Sequence, residues 1–180
     1  MSNELIQWSM FFAPWLTMFF MRKEDIKRYM PVGLLAIVAT VIIHDIGTAL
    51  GFWVVRESSF PLYHMLPYFF GNLPVLSMWI FKFTYSRIWL YIITNVVFDI
   101  VFSFLFLGKF LPSRGIYELV GISSFQVLLI NFMHMLLLYG YQMWQDDIFT
   151  QTKRTKSQLN LQPAAAKQLP KNEDKQNKED

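Results

Sequence analysis

Apolar runs about twenty residues long, parted by short connections that carry much of the charge, constrain this chain more than any other feature of its sequence. Five such runs can be read, at residues 5–21, 31–53, 61–81, 88–108 and 119–141. At about 1.5 Å per residue, a helix of roughly 21 to 23 residues matches a hydrocarbon layer about 30 Å thick. Four of the five reach that length. The pattern predicts an all-α, polytopic transmembrane helix bundle over residues 1–144. The first run, Leu5 to Met21, is shorter and holds Gln7 and Pro14. It either spans thinly or lies in the interface with Trp8 and Trp15 at headgroup level, so the bundle has five spans, or four plus an N-terminal interfacial helix. It is not read as a cleaved leader, because the basic cluster follows the run instead of preceding it. Pro61, Pro67 and Pro74 crowd the third run around Gly71 and Asn72, and this span is expected to be irregular.

Composition changes abruptly after residue 144. Apolar residues make up 54% of the chain, yet residues 145–180 are mostly Gln, Lys, Asn, Asp and Glu. That segment has too little apolar surface to offset the entropy of ordering and is expected to be a disordered hydrophilic cytoplasmic tail. Lysine and arginine set the orientation, since cationic connections stay on the cytoplasmic side. With sides alternating, thirteen fall on one face and three on the other, which predicts the C-terminus inside and, for five spans, the N-terminus outside. The basic residues are not interleaved with aromatics in a stripe, so nucleic acid is not an expected partner. The bilayer is the expected partner, and Lys153, Arg154 and Lys156 just past the last span are placed to touch anionic lipid heads. The absence of cysteine removes disulfides, thiolate metal sites and a thiol nucleophile.

Polar residues inside the apolar runs are the functional signal, because at membrane depth they are costly and face the bundle interior. Measured from the outer ends of the expected spans, Asp45, Asp99, Asn72 and Asn131 fall about 12 to 18 Å deep, a shared layer that His44 joins. Asn95 and His134 lie nearer the inner end. Asn95 and Asp99 are spaced i, i+4 and Asn131 and His134 i, i+3, so each pair occupies one helical face. Three readings compete: interhelical hydrogen bonding, a proton relay or carrier through Asp45, Asp99 and His134, and an acid/base or metal set acting on a lipid. The first is preferred. No HExxH-type spacing or serine-nucleophile motif supports the third, so no catalytic residue, metal ligand or cofactor is assigned. His64 is read as interfacial. Gly47 and Gly51 form a GxxxG spacing, read first as intramolecular helix packing and second as a homodimer surface.

The segments Arg28-Tyr29-Met30-Pro31-Val32-Gly33-Leu34, Pro61-Leu62-Tyr63-His64-Met65-Leu66-Pro67-Tyr68 and Tyr139-Gly140-Tyr141-Gln142-Met143-Trp144-Gln145 resemble those of an uncharacterised family of small multi-pass membrane proteins from Bacillus-type, spore-forming bacteria. The resemblance covers roughly residues 8–145. It implies a bacterial cytoplasmic membrane location and no catalytic residues. The expected function is that of a multi-pass membrane protein, non-enzymatic and structural or accessory, with a small proton-coupled carrier as the alternative and a lipid-modifying enzyme as the second alternative.

Overall fold

Two reversals of the same design shape one end of the molecule, seen in a computed structural model that describes residues 2–62 and 64–165, with side chains as far as residue 148. Helix α2 (Lys23–Ala49) stops where Gly51 adopts a φ of 72°, a conformation that costs a glycine nothing. Gly51 N–H donates to Thr48 O and Phe52 N–H to Gly47 O, the paired bonds of a Schellman ending. Helix α4 (Ile88–Ser113) ends identically. Gly115 has a φ of 67°, Gly115 N–H donates to Pro112 O and Ile116 N–H to Leu111 O. Two residues past each glycine a three-residue strand begins: β1 (Trp53–Val55) and β2 (Tyr117–Leu119). They pair antiparallel with Val54 opposite Glu118. The sheet thereby fixes the ends of α2 and α4 side by side.

Three further helices complete the described fold: α1 (Asn3–Thr17), α3 (Asn72–Thr84) and α5 (Ser124–Ala165). The N-terminus of α1 belongs to the sheet end, since Asn3 Nδ2 donates to Glu57 Oε2 at 2.6 Å and to Arg114 O at 2.9 Å. The opposite end gathers residues 22–29 and 82–87. There Lys82 Nζ lies 3.7 Å from Asp25 Oδ2, and the Arg28 guanidinium sits 5.3 Å over the Tyr85 ring. Tyr139 of α5 packs at this end too, 4.9 Å from Tyr91 and 5.7 Å from Tyr85. Two buried clusters fill the interior, one near this basic end around Tyr29, Met78, Phe81 and Tyr91, the other near the sheet around Trp53, Tyr68, Leu107 and Tyr117.

Among the described residues three helices are long and apolar enough to cross a membrane: α2, α4 and the Ser124–Ile148 part of α5. At about 1.5 Å per residue each exceeds a 30 Å hydrocarbon layer. The outward faces fit that solvent. Along α2 the exposed positions Leu34, Val38, Ile42 and Ile46 recur every fourth residue and are all aliphatic, a stripe that water would not tolerate on this scale.

Five full spans are not what forms. α1 has 15 residues and α3 has 13, about 22 and 20 Å, both short of the hydrocarbon layer. The physical reason is visible in each. The described residues between 61 and 71 form no α-helix: a 3-10 turn at Pro67–Phe69 is followed by Gly71, and only then does α3 start. Pro14 lies inside α1 and removes the donor that the Met10 carbonyl would have used. Against this weakened stretch Gly71 packs so closely that a Cβ would overlap the Met10 and Phe11 backbone. Trp15 Nε1 donates to Phe70 O at 3.0 Å, so this indole faces the protein.

Other boundaries shift as well. α2 begins at Lys23 instead of residue 31, because Glu24 and Asp25 in its first turn favour the positive end of the helix dipole. The fifth run starts its helix at Ser124, as residues 117–119 are taken by β2. The chain divides into two units, Met1–Gln142 and Met143–Asp180. In the second the backbone is helical to Ala165. No glycine or proline interrupts residues 141–162, and Gln, Lys, Arg and Leu are good helix formers. The rest of the expected tail, residues 166–180, and the side chains of Lys153, Arg154 and Lys156 lie outside the described residues.

Candidate functional site: an apolar cavity with four polar side chains

A cavity of about 290 Å³ lies among α2, α3, α4, α5 and the sheet. Its size is at the lower end of small-ligand pockets, which run from about 300 to 1,000 Å³. Trp53 and Tyr117, the first residues of their strands, line it at the sheet end with ring centroids 6.4 Å apart. Trp53 is held in place three ways. A Cβ on Gly47 would overlap its indole, its Nε1 donates to His44 O at 3.2 Å, and the same Nε1 lies 3.1 Å from Thr48 Oγ1. Gly47 therefore seats an indole from β1 instead of a neighbouring helix, and Gly51 is a turn residue with open space around it. The GxxxG spacing is not a helix-packing surface within this fold.

Four of the seven residues of the expected polar layer meet here: His44, Asp99, Asn131 and His134. His44 is buried, and its Nε2 lies 2.8 Å from the His64 carbonyl, which only accepts, so Nε2 carries the proton. Its ring stacks on Trp53 at 5.9 Å and meets Phe69 edge-on at 4.8 Å. His64 itself is exposed, and its backbone oxygen is what the site uses. Asn131 Nδ2 reaches Ser103 Oγ at 3.4 Å, a long and weak bond across α4 and α5. His134 Nε2 is buried with no hydrogen-bond partner. Asp99 lines the cavity and, among the described residues, takes part in no hydrogen bond or ion pair.

The other three go elsewhere. Asp45 is exposed on α2, four residues from its end and so only about 6 Å deep by helix rise. Asn95 turns back along its own helix, its Nδ2 donating to Tyr91 O at 2.8 Å. Asn72 is the first residue of α3 and lines a second cavity, of about 650 Å³, with Ala13, Pro14 and Trp79. The polar groups do not share one depth. From the observed ends at the sheet, Asn131 is about 10 Å deep and Asp99 about 21 Å, so the polar groups climb the cavity wall in steps.

Sequence reasoning missed the ring of aromatics and one backbone feature. Val101–Phe110 of α4 is π-helical, and Val101, Phe102, Phe106 and Leu107 from this stretch line the cavity. The wider turn is a local distortion found mostly at functional sites. It brings Phe102, Phe106 and Phe110 into a stacked ladder with centroids 5.4 and 5.8 Å apart. The i, i+4 spacing of those phenylalanines was in the sequence, as was the pattern of a glycine two residues before Trp53 and before Tyr117. Among the described residues no three His, Asp or Glu side chains are grouped to hold a metal ion. No family model matches the chain, and no curated protein or solved structure matches it either.

Proposed function

We propose that the chain is a non-enzymatic, multi-pass protein of a bacterial cytoplasmic membrane and that it works as a small carrier, the cavity being its binding site and Asp99 and His134 its proton-exchanging groups. The observation that carries this reading is the placement of Asp99 on α4 and His134 on α5 at one cavity, with Asp99 unpaired. A carboxyl group far from water must be protonated or joined by a cation, so an unpaired one is poised to alternate between the two. A purely structural layer would instead tie helices together. Of the seven polar residues, only Asn131 bonds to another of the three long helices, and weakly.

The same geometry supports one arrangement in a bilayer. α2, α4 and α5 span, while α1 and α3 are embedded as short helices beside them. The non-helical stretch before α3 is acceptable there because Leu66, Pro67, Tyr68 and Phe69 are buried in protein, not exposed to lipid. Arg22, Lys23, Lys27, Arg28, Lys82 and Arg87 crowd one end, against Arg56, Lys109 and Arg114 at the other. The sheet end therefore faces outward and the basic end the cytoplasm.

The test uses full-length protein in proteoliposomes containing a pH-sensitive dye, challenged under an imposed pH gradient with a panel of small cations, anions and neutral amphiphiles. Some members should trigger proton movement, and Asp99→Asn should abolish it while leaving the melting midpoint in detergent unchanged, since an amide keeps the shape but cannot titrate. No triggered proton movement from any panel member, or an Asn variant as active as the parent, overturns the carrier reading.

A further inference from the structure

We infer that the cavity takes a small organic ammonium ion, held by the Asp99 carboxylate among aromatic faces. This rests on the carrier reading and names its substrate class. The wall carries one carboxylate and no lysine or arginine, so its only formal charge is negative. Seven of the lining residues are Phe, Tyr or Trp, among them Trp53, Tyr68, Phe98, Phe102 and Tyr117. Ring faces attract cations and repel anions, and the attraction grows where water is excluded. An inorganic cation would want a shell of oxygen ligands, which a wall of rings does not offer. A neutral ligand would leave Asp99 protonated and gain nothing from its charge. An organic ammonium ion satisfies both features at once, with its hydrocarbon part against the apolar wall.

The rest of the wall agrees. His44 cannot compete as a partner for Asp99, because its Nε2 proton is already given to the His64 carbonyl. His134 Nε2 is a buried nitrogen with no partner, and in the tautomer with its proton on Nδ1 it accepts from an ammonium N–H. Binding is then an exchange that conserves charge. The protonated Asp99 carboxyl releases its proton to water as the cation arrives, and takes a proton back as the cation leaves. Entry of one cation is matched by the loss of one proton, which supplies the coupling a carrier needs.

Three probes of one shape separate the possibilities: benzyltrimethylammonium, neutral neopentylbenzene and anionic benzylsulfonate. The quaternary probe keeps its charge at every pH, so any proton released comes from the protein. Full-length protein in detergent and weak buffer is titrated with each, reading tryptophan fluorescence for binding and a pH dye for protons. The cation should bind at least tenfold more tightly than the neutral isostere and release about one proton per bound molecule, and the anion should not bind. Asp99→Asn, checked for an unchanged melting midpoint, should lose the proton release and the tenfold preference. Phe102→Leu, which removes a ring without touching the charge, should weaken the cation and spare neopentylbenzene. Equal binding of cation and neutral probe, preference for the anion, or cation binding that Asp99→Asn leaves intact each overturns the inference. Proton movement triggered in proteoliposomes by neutral or anionic panel members alone would overturn it while leaving the carrier reading standing.

Discussion

Glycine side-chain space separates three positions that look alike in the sequence. At Gly71 an added Cβ would meet the Met10 and Phe11 backbone, at Gly47 the Trp53 indole, and at Gly140 nothing within 4 Å. Backbone yields less readily than a side chain, so Gly71→Ala should lower the detergent melting midpoint most and Gly47→Ala by the amount typical of overpacking, about 1–3 kcal/mol. Gly140→Ala should raise stability slightly, by up to about 1 kcal/mol of helix propensity. A melting series that ranks the three otherwise would show that the Gly71 crossing is not a tight point of the fold. His44, Asp99, Asn131 and His134 were legible in the sequence for a simple reason: polar side chains in apolar runs are rare enough to stand out. Asp45 and Asn95 stood out equally and do not belong, because periodicity gives the spacing along a helix but not which way the helix is turned. Ser103, fully buried and bonded to Asn131, gave no signal, since a lone serine in a membrane helix is ordinary.

Among the elements, the sheet is too short to stand alone, as isolated two-stranded pairs are marginal in water. Two contacts across or near it differ greatly in weight. The Arg56–Glu118 ion pair is 2.8 Å long, but both side chains are about half exposed, so it contributes no more than about 1 kcal/mol. Trp53 is buried against Gly47, His44 and Tyr117, and truncating a buried aromatic costs about 3–5 kcal/mol. Arg56→Gln should therefore leave the melting midpoint nearly unchanged, whereas Trp53→Ala should lower it strongly and Trp53→Phe by less. A large effect of Arg56→Gln would mean that the ion pair, not the buried indole, holds the strands. The long helices were readable from the sequence because apolar length is a direct consequence of bilayer thickness. The strands were not, since Trp-Val-Val and Tyr-Glu-Leu at the ends of apolar runs look like continuing helix or interfacial anchors. The short helices were hidden for a related reason: hydropathy sums over residues 61–81 without registering that prolines and Gly71 stop a helix from forming across the first half of them.

On the scale of the whole molecule, the sheet end and the basic end must lie on opposite sides of the bilayer if the spans are as assigned. The chain has no cysteine, so single cysteines report cleanly. Cysteines replacing the exposed Ser58 and Ser113 should be labelled from outside intact cells by an impermeant thiol reagent, and one at the exposed Ser86 should not be. Labelling of Ser58 and Ser86 from the same side would break the three-span assignment. Helix, glycine reversal, strand and return helix occur twice, once on each side of Ser86, with the register centred where Val54 faces Glu118. Only residues 85–87 join α3 to α4, so the polypeptide should tolerate being interrupted there. Residues 1–86 and 87–180 made from separate genes should find each other in the membrane, co-purify and melt as one species, because what one half recognises in the other is a matching edge and not a tether. Failure to co-purify would show instead that the halves assemble only when synthesis keeps them in order.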